Sequence, residues 1–198
     1  MLLSVITALF FVAFTIHTAD RQQRSGSTAN QPQPYEDAEA YEVYSAVLPS
    51  EWIWSVQKAK TLAFHVETRA YGMCLRPEGE FQEIMGQAIS EYIKLSQKTW
   101  LLQRHFNIEK PYVLITSDEL KRAFEDGGWE KFYKRHPNSG GWIELSAVGF
   151  NTDKTVAVVY VGHSCGLLCG GGGFHVLQKK DAKWAPLKWK GTSCSSAS

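Results

Sequence analysis

The chain has 198 residues, 44% of them hydrophobic, with 21 Lys and Arg against 20 Asp and Glu for a formal net charge of +1. Charges of both signs are interspersed, which argues against the basic field of a nucleic-acid-binding protein and against an acidic field for cationic ligands. The length suits one domain with a real core, and seven Trp make it rich in aromatics.

From Leu2 to Ile16 the residues are apolar except Ser4, Thr7 and Thr15. The run matches the core of a secretory signal and, extended through Ala19, is just long enough to cross a bilayer. Residues 1–19 are therefore read as a signal peptide or membrane anchor. No Lys or Arg precedes the run, and cleavage after Ala19 would leave His17 where a small residue is preferred. Arg21 and Arg24 argue the other way, because positive residues favour a cytoplasmic side. Residues 20–35, dominated by Gln, Ser, Arg, Asn and Pro, read as a flexible linker.

A single domain is expected over residues 36–190. It opens with a short helix over 36–47, with Tyr41, Tyr44 and Val47 on one face and Pro49 beyond its end. Leu62, Phe64 and Val66 then alternate with His65, Glu67 and Arg69, the period of a half-buried strand over 61–71. After Pro77 and Gly79, apolar residues recur at steps of three and four from Phe81 to Phe106, predicting a long helix over 80–106. Residues 112–116 are a short strand. Thr116-Ser-Asp-Glu119 is a capping box opening a helix that Gly127-Gly128 ends, and a further turn sets Trp129, Phe132, Tyr133 and His136 on one face before Pro137. Strands follow at 142–150, 155–161, 174–180 and 183–189, with turns at 151–154 and 181–182. Trp184 and Trp189 read as sheet packing rather than a carbohydrate platform. Strands joined by short turns make an antiparallel meander. The expected fold is α+β, with helices packed on one face of a curved, mostly antiparallel C-terminal sheet. Residues 191–198 read as a polar tail.

Residues 162–175, Gly-His-Ser-Cys-Gly-Leu-Leu-Cys-Gly-Gly-Gly-Gly-Phe-His, are the most distinctive stretch and read as a loop crossing between two strands. The four cysteines allow three pairings. Cys165 and Cys169, four residues apart on a glycine-rich turn that can fold back, are the preferred disulfide. Cys194 either pairs with Cys74 or stays free.

Trp129-Glu-Lys-Phe-Tyr, Pro137-Asn-Ser-Gly-Gly, Leu145-Ser-Ala-Val-Gly-Phe-Asn, Ala157-Val-Val-Tyr-Val and Cys165-Gly-Leu-Leu-Cys-Gly together resemble a family of uncharacterised bacterial exported proteins, over about residues 129–189. The resemblance implies bacterial origin, export and an intact domain, and it implies no activity. The family pattern keeps the two cysteines of the loop but neither His163 nor His175, which counts against a metal role for them.

Three chemistries compete with a structural disulfide in this loop. Gly162-His-Ser-Cys-Gly166 matches the nucleophile-elbow pattern, with Ser164 as nucleophile and His175 as the available base. Glycines stand where the elbow needs a helix, and the hydrolase order of serine, acid and histidine fails. His163, Cys165, Cys169 and His175 offer zinc two nitrogens and two sulfurs, although oxidising surroundings disfavour the thiolates a metal needs. As a redox pair, Cys165 and Cys169 have a three-residue spacer and no following helix to lower a thiol pKa. Trp129, Tyr133 and His136 are candidates to line a ligand groove, the alternative being core packing.

The expectation is a non-enzymatic binding or structural domain of the bacterial cell envelope, exported or membrane-anchored, in the periplasm or on the outer surface. It has no cofactor, no nucleic-acid partner, and an unknown ligand or envelope protein as partner, with membrane contact through residues 1–19 if these are uncleaved. The alternative is a hydrolase, or a thiol-redox or zinc protein, centred on residues 162–175.

Overall fold

The computed structural model describes residues 32–48 and 57–197. The apolar run over residues 1–19 and the linker as far as residue 31 lie outside the described residues. Strand β1 (Gln33–Pro34) leads into helix α1 (Ala38–Val47), whose first turn is fixed by Asp37, the Oδ1 of which accepts the Glu39 N–H at 3.1 Å. Ala40, Tyr41, Val43, Tyr44 and Val47 are buried on one side of α1. The tyrosines bring hydroxyls into that interior, and each finds a partner. Tyr44 donates to the Ser146 carbonyl at 2.6 Å, Tyr41 donates to the Tyr35 carbonyl at 2.8 Å, and the Tyr35 hydroxyl accepts the Val148 N–H at 3.0 Å.

Strand β2 (Leu62–His65) is followed by β3 (Arg76–Pro77) and helix α2 (Phe81–Leu95). The helix expected over 80–106 stops at Leu95. Backbone bonds from Gln97 to Lys94 and from Lys98 to Leu95 unwind the chain, and Trp100 Nε1 donates to the Leu95 carbonyl at 3.0 Å. Residues 100–102 then turn to a different partner: Thr68 N–H reaches the Trp100 carbonyl, Leu102 N–H reaches that of Val66, and β4 (Trp100–Leu101) pairs in parallel with β1. Leu102 and Phe106 keep the apolar spacing of the helix but bury against α1 and Phe64.

Strand β5 (Tyr112–Ile115) ends at the capping box, with Glu119 N–H on Thr116 Oγ1 at 3.2 Å and Thr116 N–H on Glu119 Oε2 at 2.8 Å. Helix α3 (Ser117–Glu125) follows, and two glycines with positive φ, Gly127 and Gly128, separate it from α4 (Gly128–Arg135). The expected strand over 142–150 is interrupted, giving β6 (Trp142–Leu145) and β7 (Gly149–Phe150). Then come β8 (Val156–Gly166), β9 (Cys169–Lys180) and β10 (Lys183–Pro186). The β9–β10 turn is the expected pair Asp181-Ala182, both at positive φ, as a tight hairpin turn requires.

The main sheet runs β10-β9-β8-β6-β2-β5, with β7 also on β8, and the fold is α+β. The ladders from β6 to β10 are antiparallel, but β2 is parallel to both β5 and β6. The parallel pairs require crossovers, which the helical segments supply. Alternation along β8 separates the two faces. Ala157, Val159 and Val161 join Phe64 and Leu145 under α1, whereas Val156 and Val158 meet Met85 and Ala88 of α2. On that second face, Ala63 and Ile115 pack against Ala123 and Phe132 of α3 and α4. The helices therefore divide between the two faces of the sheet: α1 covers one, and the three later helices cover the other.

Two further segments differ from expectation. The glycine-walled stretch read as a loop is paired strand, and only Leu167 and Leu168 form the turn between β8 and β9. The glycines make room. Tyr71 and Tyr160 stack with ring centroids 3.6 Å apart, and a Cβ on Gly162 would meet the Tyr71 hydroxyl at 3.1 Å and the Tyr160 ring at 3.2 Å. Gly172, paired with Gly162, lies under the Tyr160 ring in the same way. The supposed tail beyond residue 190 is also part of the fold. Strand β11 (Gly191–Thr192) pairs with β3, Cys194 is bonded to Cys74, and β12 (Ser195–Ala197) pairs with β9 at Gly171–Gly173. From Pro32 onward the described residues form one compact unit.

Candidate functional site

His163, Ser164, Cys165 and Cys169 lie at the far end of the β8–β9 hairpin, where the structure sorts them by strand face, and His175 lies farther down β9. Cys165 and Cys169 are bonded to each other across the tip with Cα atoms 5.0 Å apart. Tyr133 of α4 reaches over and donates to the Cys165 carbonyl at 2.8 Å, holding the tip against the helical layer. The preferred pair is thus present, Cys194 pairs with Cys74, and no free cysteine remains among the described residues.

Ser164 and the histidines do not meet. Ser164 stands opposite Trp142 and Gly170, while His163, its chain neighbour, points to the other face among the residues around Ile143. His175 lies opposite Val159, five residues along β8 from Ser164 and on the opposite face, a separation of about 16 Å along the strand. Ser164 therefore has no base in His175. The zinc set fails for related reasons: both sulfurs are committed to a disulfide, and His163 and His175 are far apart along the hairpin. Among the described residues no group of three or more metal-ligating side chains converges. Burial pushes the His163 imidazole down, partly offset by its Nε2–H donation to the Gly140 carbonyl at 2.8 Å, and burial pushes His175 down to about 4.

The Trp129/Tyr133/His136 face is occupied by the protein itself. Trp129 stacks on Trp142 with centroids 4.7 Å apart, Phe132 is fully buried beneath them, and His136 lies against Phe132 at 5.1 Å. Burial lowers the His136 pKa. These rings form the core under α3 and α4.

Two polar clusters and one groove escaped the sequence reading. At the carboxyl ends of the parallel strands β2 and β5, His65 is fully buried. Its Nδ1–H donates to the Glu67 carbonyl at 3.0 Å, and its Nε2 lies 3.0 Å from Ser117 Oγ, which is in turn 3.0 Å from Glu67 Oε2. Ser117 opens α3, so the cluster pins that helix start to the end of β2. On the same face Tyr71 donates to Glu144 at 2.7 Å and Arg69 approaches the same carboxylate at 3.4 Å. Burial, and then the Glu144 charge, push the Tyr71 phenol well above its ordinary range.

The groove lies between residues 34–37, the second half of α2 and the turn at 150–154, and it is open with a volume of about 680 Å³. That is the size range of small-ligand sites. Trp100, Leu95 and Phe150 supply apolar surface, and Glu36, Asp37 and Glu91 face Lys94 and Lys154. The charges largely pair with one another: Lys154 with Asp37 at 3.1 Å and Lys94 with Glu91 at 3.5 Å. Gln87 Oε1 accepts the N–H and the hydroxyl of Thr152 at 3.1 and 3.0 Å. None of the residues singled out by sequence lines it.

Fold and site together define an α+β domain stabilised by two disulfides, with a polar, aromatic-walled groove. The disulfides indicate a non-reducing, extracytoplasmic environment, and among the described residues no helix is long and apolar enough to cross a membrane. Compared with known proteins, the chain matches no family model, no curated protein and no solved structure.

Proposed function

We propose that this is a non-enzymatic binding domain of the bacterial cell envelope, exported or held at the membrane by residues 1–19, with its ligand in the groove beside Trp100. The groove is the observation that carries the reading: a volume of about 680 Å³ at the junction of α1, α2 and β7. Its three carboxylates and two ammonium groups leave a formal balance of −1, and those that are paired at the surface are held weakly enough to exchange partners. A site of this composition suits an uncharged, hydroxyl-rich ligand with one flat apolar face, such as a glycan: hydroxyls join the existing polar network while the flat face meets Trp100. The bacterial assignment rests on the resemblance over residues 129–189, and export rests on the apolar run and the two disulfides.

The test is a titration of isotope-labelled protein with di- and trisaccharides, and with tripeptides as charged controls, followed by amide and indole shifts. Shifts confined to Ser90, Trp100 and Thr152 with a saccharide support the reading. Absence of shifts along the groove with every saccharide, or shifts at Leu167 and Leu168 instead, removes it.

A further inference from the structure

Among the described residues the most exposed large hydrophobic side chains are Leu167 and Leu168, 90% and 88% exposed, side by side in the turn of the β8–β9 hairpin. A mobile loop would shield such residues by folding them back. Here that route is closed. The Cys165–Cys169 bond clamps the turn from below, and Tyr133 ties the Cys165 carbonyl to α4. The chain thus holds two leucines outward on a rigid support.

The surroundings are as telling as the leucines. From Thr155 to Gln178 there is no Asp, Glu, Lys or Arg, so the hairpin is without formal charge except at the base of β9, where Lys179 and Lys180 lie. Towards the tip the backbone pairs with flanking strands as well as with itself: Ser164 with Trp142 of β6, and Gly171–Gly173 with β12. A projection that is apolar at its end, uncharged along its shaft and paired in its backbone meets the conditions for entering the edge of a bilayer. A protein-docking knob, by contrast, is normally ringed by polar and charged side chains that fix its orientation, and the shaft here offers only glycine and serine near the tip.

We infer that the clamped Leu167–Leu168 tip dips into a lipid bilayer, giving the domain a second, weaker attachment beside the one read for residues 1–19. A single short apolar insertion binds reversibly, and two together hold a domain at the surface. The inference rests on the membrane-proximal part of the proposal above and is independent of the groove.

The test uses the full chain, with both disulfides intact and leucine methyls labelled, in phosphatidylcholine nanodiscs. Two relaxation agents are compared: a lipid carrying a doxyl group near the head of its acyl chain, and a water-soluble gadolinium chelate. The methyl signals of Leu167 and Leu168 should lose at least half their intensity to the doxyl lipid and little to the chelate. In the L167D/L168D variant, the Leu187 methyls should respond to the lipid agent no more than those of buried Leu145. Loss of the tip methyls to the chelate alone overturns the inference, and so does protection from both agents, the signature of a protein surface or a second copy. Leu2, Leu3 and Leu9 report separately on the N-terminal run. Those residues in lipid with the tip in water leave the anchor standing and remove the tip, and the reverse result does the opposite.

Discussion

Two disulfides hold this protein, and they act on regions of opposite character. Cys74 and Cys194 are 120 residues apart and join the segment before α2 to the residue that precedes β12. Cys165 and Cys169 are separated by 4 and flank a single hairpin turn. In the chain-entropy view, stabilisation grows with the length of loop closed, giving about 4–5 kcal/mol for the long bridge and about 2 kcal/mol for the short one. The long bridge fastens elements that the chain order keeps apart. The short one fixes the shape of a projection whose strands are already paired. Stability is concentrated at one bond and local geometry at the other.

That contrast is open to measurement. The largest effect is expected from C74S/C194S, which should lower unfolding free energy by about 4–5 kcal/mol in urea titrations and release β12 from hydrogen-exchange protection. C165S/C169S should cost about 2 kcal/mol and loosen only residues 164–170. Equal losses from the two double variants would erase the distinction. Acid should act on the hairpin shaft. The fold holds His175 neutral, with its pKa near 4 against an ordinary 6.5. Its stabilising contribution is therefore complete above pH about 6.5 and is lost as pH falls toward 4, a change on the order of 2 kcal/mol for a half-buried ring. H175Q should reduce that slope in urea midpoints measured across the same window, leaving the part due to His163 and His136, which burial also holds below the ordinary value. The smallest effect belongs to Y133F, which removes the hydroxyl bonded to the Cys165 carbonyl and should cost about 1 kcal/mol, with exchange at the tip faster and the rest of the sheet unchanged.

The parts legible from sequence were those governed by neighbours in the chain. The capping box at Thr116 and Glu119, the positive-φ turn at Asp181 and Ala182, the stripe from Phe81 to Tyr92 and the Cys165–Cys169 pair all depend on spacings of five residues or fewer, or on a repeat of them. What escaped was set by partners from elsewhere. Leu102 and Phe106 continue a helical spacing, yet the chain there leaves the helix because the backbone of Val66 and Thr68 offers hydrogen-bond partners just past β2. Gly170 to Gly173 read as loop because glycine favours none of the regular elements. They are strand because they pair with β8, because Tyr160 occupies the space a side chain on Gly172 would fill, and because residues 195–197 pair beside Gly171–Gly173. The parallel pairing of β2 with β5 and β6 has no local signature. Nor has the groove, whose walls come from residues 34–37, 87–100 and 150–154. The cluster of His65, Glu67 and Ser117 joins strand to helix across 50 residues of chain.

The account depends most on both bridges being formed where the protein works. Protein isolated from the cells that produce it, alkylated before any reductant is added and digested, should yield the linked peptides 74–194 and 165–169 and no alkylated cysteine. Alkylation of all four cysteines in folded protein would contradict it, returning the tip to a pair of free thiols and the chain to a reducing compartment.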